Sequence, residues 1–231
     1  MIKIEQLFDP ATSTYSYLLW DEKTKQAALI DSVKEQLLRD IKFINQLGLE
    51  LKYTLETHIH ADHVTGSGLL RDEFKSQAAV HKNSESECAD ILLSDGDTLK
   101  LGEQSIDVIY TPGHTNTDIS YRIEGVLFTG DALLINGCGR TDFQSGDAKA
   151  LYHSITQKMF SLDEETMVYP GHDYNGFTSS TIGREKAFNP RLGNNKTEQE
   201  FVAIMDSLSL EPPARIDVAV PGNLQCGLKA L

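Results

Sequence analysis

The sequence predicts an α/β four-layer sandwich, two sheets packed face to face with helices outside. Three observations carry this. The chain divides into two β-rich halves, each followed by amphipathic helical stretches. Its strand-like runs are short and split by turn residues such as Asp9-Pro10 and Asp21-Glu22-Lys23. Its chemistry-bearing residues follow predicted strands, so one rim of a sheet can gather side chains that are distant in sequence.

In chain order, Ile2, Ile4 and Leu7, then Tyr15 to Trp20, then Ala27 to Asp31 mark three strands. A helix follows from about Lys34 to Leu47, because Leu37, Leu38, Ile41, Ile44 and Leu47 share one face and Gly48 can close the end. The β-prone run Leu51 to Glu56 comes next, then a short helix from Gly66 to Phe74 and a strand at Ala78 to His81. In the second half, Asp97 to Leu101, Ser105 to Tyr110, Ile119 to Arg122 and Val126 to Thr129 read as strands. A helix over 147–162 is capped by Asp147 and carries Leu151, Ile155, Met159 and Leu162 on one stripe. Met167 to Tyr169 is the last strand, and a helix from Thr181 stops at Phe188 before Pro190. Thr197 and Glu200 form a capping box for a helix with Phe201, Ile204, Met205 and Leu208 on one face. The tail holds Pro212-Pro213 and the apolar run Ile216 to Val220. Residues 1–231 read as a single domain, with a short helical C-terminal extension from about residue 178.

Composition narrows the function classes. A hydrophobic fraction of 40% supports a sizeable core in a chain of 231 residues. A net charge of -13 argues against nucleic-acid or anionic-membrane partners, which need basic surface. No apolar run reaches membrane-spanning length, and the N-terminus lacks a basic region followed by a long apolar one, so a cytoplasmic protein is expected. The three cysteines, Cys88, Cys138 and Cys226, are odd in number and far apart. They suggest neither a disulfide framework nor a thiolate metal site, and a reducing compartment fits.

The densest chemistry lies in Thr57-His58-Ile59-His60-Ala61-Asp62-His63, with three imidazoles and a carboxylate within six residues. Such a set offers neutral nitrogen ligands to one point, as a borderline metal ion requires. Strand alternation would put His58 and His60 on one face. Further candidates are His114 in Thr111-Pro112-Gly113-His114-Thr115, Asp131 in Thr129-Gly130-Asp131, and His172 in Tyr169-Pro170-Gly171-His172-Asp173.

This ordered set, His-x-His-x-Asp-His, Gly-His-Thr, Thr-Gly-Asp and Gly-His, resembles the metallo-β-lactamase superfamily. The resemblance implies the αββα sandwich with a metal site at one edge between the sheets. In binuclear members, positions matching His58, His60 and His114 hold one metal, those matching Asp62, His63 and His172 a second, and Asp131 bridges. The run Gly130-Asp131 to Phe143-Gln144, together with Tyr169 to Phe177, Asn189-Pro190-Arg191 and Ala219-Val220-Pro221, resembles the persulfide dioxygenase group. Where relatives often have a glycine after His114, this chain reads Thr115-Asn116-Thr117-Asp118.

The finer resemblance implies one Fe(II) held by His58, His114 and Asp131, a two-histidine, one-carboxylate triad with positions for O2 and substrate. His60, Asp62, His63 and His172 then orient the ligands. It implies oxidation of glutathione persulfide by O2 and water to glutathione and sulfite. A dinuclear zinc hydrolase of glyoxalase II type, acting on glutathione thioesters, is the alternative, because all seven side chains are present. Against it, only about sixty residues follow His172, fewer than that group's helical domain needs. The two carboxylates of glutathione call for cationic and hydroxyl anchors: Arg140 first, then Tyr174 and Arg191, with Arg184 as a surface candidate. For Arg140 an internal pair with Asp142 stays open, and Cys138 reads as a packed residue in a glycine turn. A homodimer is left open.

Overall fold

A computed structural model describes residues 1–213 and 215–228. The first sheet is built from β1 (Ile2–Asp9), β2 (Thr14–Asp21), β3 (Gln26–Ile30), β4 (Glu50–Leu55), β5 (Gln77–His81) and β6 (Ile91–Leu93), in that spatial order. The hairpin-linked strands β1 to β3 pair antiparallel. From β3 to β6 the pairing is parallel, and helices make two of the crossovers: α1 (Leu37–Gln46) between β3 and β4, and α2 (Ser67–Phe74) between β4 and β5. The second sheet contains β7 (Thr98–Leu101), β8 (Gln104–Tyr110), β9 (Ile119–Ile123), β10 (Val126–Gly130), β11 (Met167–Pro170) and β12 (Ser180–Thr181), ordered β12-β11-β10-β9-β8-β7. Only β10 and β11 run parallel there, joined by α3 (Ala148–His153) and the π-helical turn Ser154–Met159 that continues it.

Alternation decides what each face touches. Tyr17, Leu19, Ala28, Ile30 and Leu55 from the first sheet pack against Leu101, Ile106, Val108, Tyr121 and Phe128 from the second. Leu18, Ala27, Leu29 and Leu51 point the other way, to Ile44 and Leu70 of α1 and α2. On the outer face of the second sheet, Leu127 and Val168 meet Leu151, Ile155 and Met159. α4 (Ile182–Phe188) and α5 (Glu198–Asp206) add Ile182, Phe201 and Met205 to that layer. The four-layer expectation therefore holds. Each large side chain buried here contributes about 1.5–3 kcal/mol, so the central layer is the main source of stability.

Local signals were obeyed where they were strong. Asp147 accepts from the amides of Lys149 and Ala150, and Thr197 with Glu200 forms the capping box. The first helix opens as a 3₁₀ turn over Lys34–Gln36, and Gly48 follows its end at φ +61°. The single helix expected over 147–162 loosens to π after His153, which keeps Leu151, Ile155 and Met159 buried in one core. The tail run at Ile216 folds as α6 (Ile216–Asn223), which buries Ala219, Gly222 and Asn223.

Candidate metal centre

Four strand ends meet at one rim. β4 stops at Leu55, so His58 to His63 lie in a loop rather than in a strand, and alternation does not govern them. His114 follows β8, Asp131 follows β10 and His172 follows β11. The sheets touch where the loop begins: Ile119 N–H donates to the Thr57 carbonyl at 2.8 Å, and Tyr121 Oη donates to the Glu56 carbonyl at 2.9 Å. Gly130, at φ +50°, lies so close to the Thr57 side chain that a Cβ would collide with it. At Gly139 a Cβ would stand 2.6 Å from the Asp131 carbonyl and 2.8 Å from the His114 ring.

His58, His114 and Asp131 offer donor atoms within 4.8 Å of one another. Their neighbours prepare them as ligands. The Thr57 hydroxyl donates to Asp31 Oδ2 at 2.8 Å, so its oxygen accepts from His58 Nδ1–H at 3.0 Å and Nε2 keeps a free lone pair. His114 Nδ1–H donates to the Arg140 carbonyl at 2.7 Å, with the same consequence. Burial, and then the nearby His60 and His114 rings, hold His58 well below the ordinary imidazole value, so it is neutral. Burial works against ionisation of Asp131, yet the charge of the His172 ring and its hydrogen bond hold the carboxyl well below the usual carboxylate range. Two imidazoles, each with Nδ1 held by a hydrogen bond, and one carboxylate form a donor set that fits a transition metal.

Around this triad the remaining candidates divide. His172 donates from both ring nitrogens, Nδ1 to Asp131 Oδ1 at 2.6 Å and Nε2 to Asp62 Oδ2 at 3.0 Å. Asp62 Oδ2 also accepts from His63 Nδ1 at 3.0 Å and from Thr14 Oγ1 at 3.2 Å. Although the His58 and His60 rings lie 4.1 Å apart, His60 Nε2 turns away to Asp31 Oδ1 at 3.1 Å and Glu56 Oε2 at 3.3 Å. Burial opposes a charge on His60, but those two carboxylates raise it well above the ordinary value. His60, Asp62 and His63 form a second donor group, and the buried His60 Nδ1 and His63 Nε2 have no partner among the described residues.

A cavity of about 530 Å³ opens over the triad, walled by Leu134, Ile135, Phe143, Arg140, Tyr174 and Arg191. The Arg140 fork is engaged internally: Nε and Nη2 donate to Asp142 at 2.7 and 2.8 Å, and Nη1 donates to the Glu211 carbonyl at 2.7 Å. Arg191 donates through Nη1 to the Cys138 carbonyl at 2.6 Å, and its Nε and Nη2 have no hydrogen-bond partner among the described residues. Tyr174 is exposed and stacks parallel to His172 at 6.0 Å. Arg184 lies off the cavity wall and holds Asn136 and Glu185. Burial pushes the Cys138 thiol up to about 11, as suits a packed residue.

Sequence reasoning missed several residues. Asp31 ends β3 as Asp131 ends β10, a parallel that could have flagged it. Glu185, fully buried, accepts from Asn136 N–H and Asn189 Nδ2, and Asn189 in turn donates to the Gly137 carbonyl on the cavity wall. Asn223 of α6 donates to the His60 and His63 carbonyls at 2.9 Å each and accepts from Thr65 N–H at 2.8 Å. The cysteine expectation is corrected: Cys88 and Cys226 form a disulfide, because the fold closes the 138-residue separation that sequence spacing cannot bridge.

The fold and its rim of histidines and aspartates define a metal-binding class of αββα sandwich, and a profile of the metallo-β-lactamase superfamily matches residues 9–172. The chain belongs to that superfamily. Among its relatives, the human mitochondrial persulfide dioxygenase ETHE1 is 45% identical over 99% of this chain and 90% of its own length. The crystal structure of ETHE1 from Myxococcus xanthus superposes with a TM-score of 0.95 at 47% identity, over 97% of this chain and 99% of that one. A probable hydroxyacylglutathione hydrolase from Schizosaccharomyces pombe is 31% identical over 85% of this chain and 89% of its own. No helix among the described residues is long and apolar enough to cross a membrane.

Proposed function

We propose that this chain is a persulfide dioxygenase that converts glutathione persulfide, O2 and water to glutathione and sulfite. The observation that carries the reading is the His58, His114 and Asp131 donor group, standing in a chain similar to persulfide dioxygenases over nearly its whole length. His58, His114 and Asp131 would hold a single iron, which would supply the redox chemistry toward O2 and the persulfide sulfur. His172, placed between Asp131 and Asp62, suits a positioning role in this reading.

The protein's own groups do the positioning. His172 holds Asp131 Oδ1, leaving Oδ2 3.7 Å from His114 Nε2. Arg191 presents its remaining donors beside the cavity and anchors a glutathione carboxylate. Tyr174 covers the mouth above His172. Arg140 shapes the wall: by gripping Asp142 and the Leu210 and Glu211 carbonyls it fixes the 210–213 segment there, so anchoring falls to Arg191 rather than to Arg140. Leu134, Ile135 and Phe143 shield the reacting sulfur from bulk water.

The competing reading is a binuclear thioester hydrolase, favoured by the unpartnered His60 Nδ1 and His63 Nε2 beside Asp62. Oxygen uptake and sulfite release with glutathione persulfide, compared with hydrolysis of S-lactoylglutathione, separate the two. Stoichiometric sulfite with negligible thioester hydrolysis is expected. The reverse pattern overturns the proposal.

A further inference from the structure

We propose that the Cys88–Cys226 pair is a thiol–disulfide exchange site whose state sets how firmly the loop from His60 to Thr65, which directly follows the ligand His58, is held. Three observations meet here. Asn223, in the last turn of α6, grips the loop through the His60 carbonyl, the His63 carbonyl and the Thr65 amide. Three residues later, Cys226 accepts from Gly68 N–H at 2.9 Å and is tied to Cys88. Apart from that bridge, the 215–228 segment is docked mainly by polar contacts: Lys34 Nζ on the Gly227 carbonyl at 2.7 Å and Arg215 on Glu35 at 2.7 Å. α6 buries only Ala219 among its apolar side chains, while Val218 stays exposed. Hydrogen bonds that exchange with water add little net stability, so the covalent bridge contributes much of what keeps Asn223 in place.

The two sulfurs differ in access. Cys226 is 3% exposed, whereas Cys88 is half-buried in the loop that wraps the Leu224 carbonyl through Ser86 Oγ and Glu87 N–H. A low-molecular-weight thiolate therefore attacks Cys88 Sγ, breaking the Cys88–Cys226 bond and releasing the Cys226 thiolate. A second thiolate then attacks the mixed disulfide and frees Cys88. Two thiols supply the two electrons and leave as one disulfide, and the two cysteines take up protons. The proposed reaction itself yields a thiol, so the thiol balance around the enzyme is what this bridge reads.

The test uses metal-free full-length protein, oxidised or reduced with dithiothreitol, beside Cys88→Ser and Asn223→Ala. Amide hydrogen exchange over 60–68 is the primary readout, and metal loss from loaded protein to a chelator is the second. Reduction should speed exchange at the Thr65 and Gly68 amides several-fold and metal loss by about 10-fold. Cys88→Ser should show the loosened behaviour in both redox states. Asn223→Ala should loosen the loop even when the bridge is closed. Three free thiols in air-oxidised protein, or a bridge that opens with no change over 60–68, overturns the proposal. The metal-free exchange readout stands even where the iron assignment fails, so the two failures are distinguishable.

Discussion

His172 stands between two carboxylates, 2.6 Å from Asp131 on one side and 3.0 Å from Asp62 on the other. The ring orients the carboxylate that completes the triad and links it to the neighbouring donor group. His172→Ala should therefore lower metal affinity by about 10- to 100-fold and leave some metal bound, whereas Asp131→Ala empties the site. Metal titration of both variants checks this, and equal loss in the two would make His172 a ligand itself.

Thr57 relays the Asp31 carboxylate to the His58 ring. Thr57→Val keeps the side-chain shape but removes the hydroxyl, so the His58 tautomer is no longer fixed. Metal affinity should fall by about 10-fold with an unchanged far-ultraviolet spectrum. Full-strength binding in Thr57→Val contradicts the relay.

The two cavity arginines should separate in kinetics. Arg191→Ala should raise KM for glutathione persulfide by about 10-fold, matching a charge-assisted bond of about 1.5–3 kcal/mol, and leave a small uncharged persulfide unaffected. Arg140→Ala frees the 210–213 segment, so its loss should extend to every substrate and accompany a lower Tm. A glutathione-selective loss in Arg140→Ala instead would make it the anchor.

Away from the site, burial pushes the Asp40 carboxyl from 3.8 up to about 6, with the Arg39 guanidinium pulling part of the way back. The folded chain thus holds more protons than the unfolded chain between those values, and this group's contribution makes stability fall as pH rises from about 4 to 6. Asp40→Asn should flatten that slope and stabilise the protein at neutral pH by on the order of 1–3 kcal/mol. Denaturation at pH 4 and pH 7 measures it; an unaltered slope contradicts the assignment.

What could be read from sequence was what short-range chemistry dictates. The α1 helix, the Asp147 cap and the Thr197 capping box are local patterns and appear where expected. The α1 stripe is narrower than expected: Leu37, Ile41 and Ile44 face the core with Phe43, while Leu38 and Leu47 are exposed. The chemistry-bearing residues were legible because His58 stands in a dense histidine run, while His114, Asp131 and His172 each directly follow a glycine after a strand-like run. Strands of three and two residues, β6 and β12, have no period of their own and exist through their ladders. The same-face argument for His58 and His60 failed because the ladder ends at Leu55 and Asp31 takes over the Thr57 amide at 2.7 Å. Asn223 and the Cys88–Cys226 bridge depend on approaches across more than 100 residues, which no spacing rule reports.

The central claim is one iron per chain on His58, His114 and Asp131. Metal analysis of anaerobically purified protein, followed by oxygen uptake with glutathione persulfide, tests it most directly. The account predicts one iron per chain, with oxygen consumption that disappears together with the iron in Asp131→Ala. Two tightly held zinc ions per chain, and no oxygen uptake after iron loading, would contradict it.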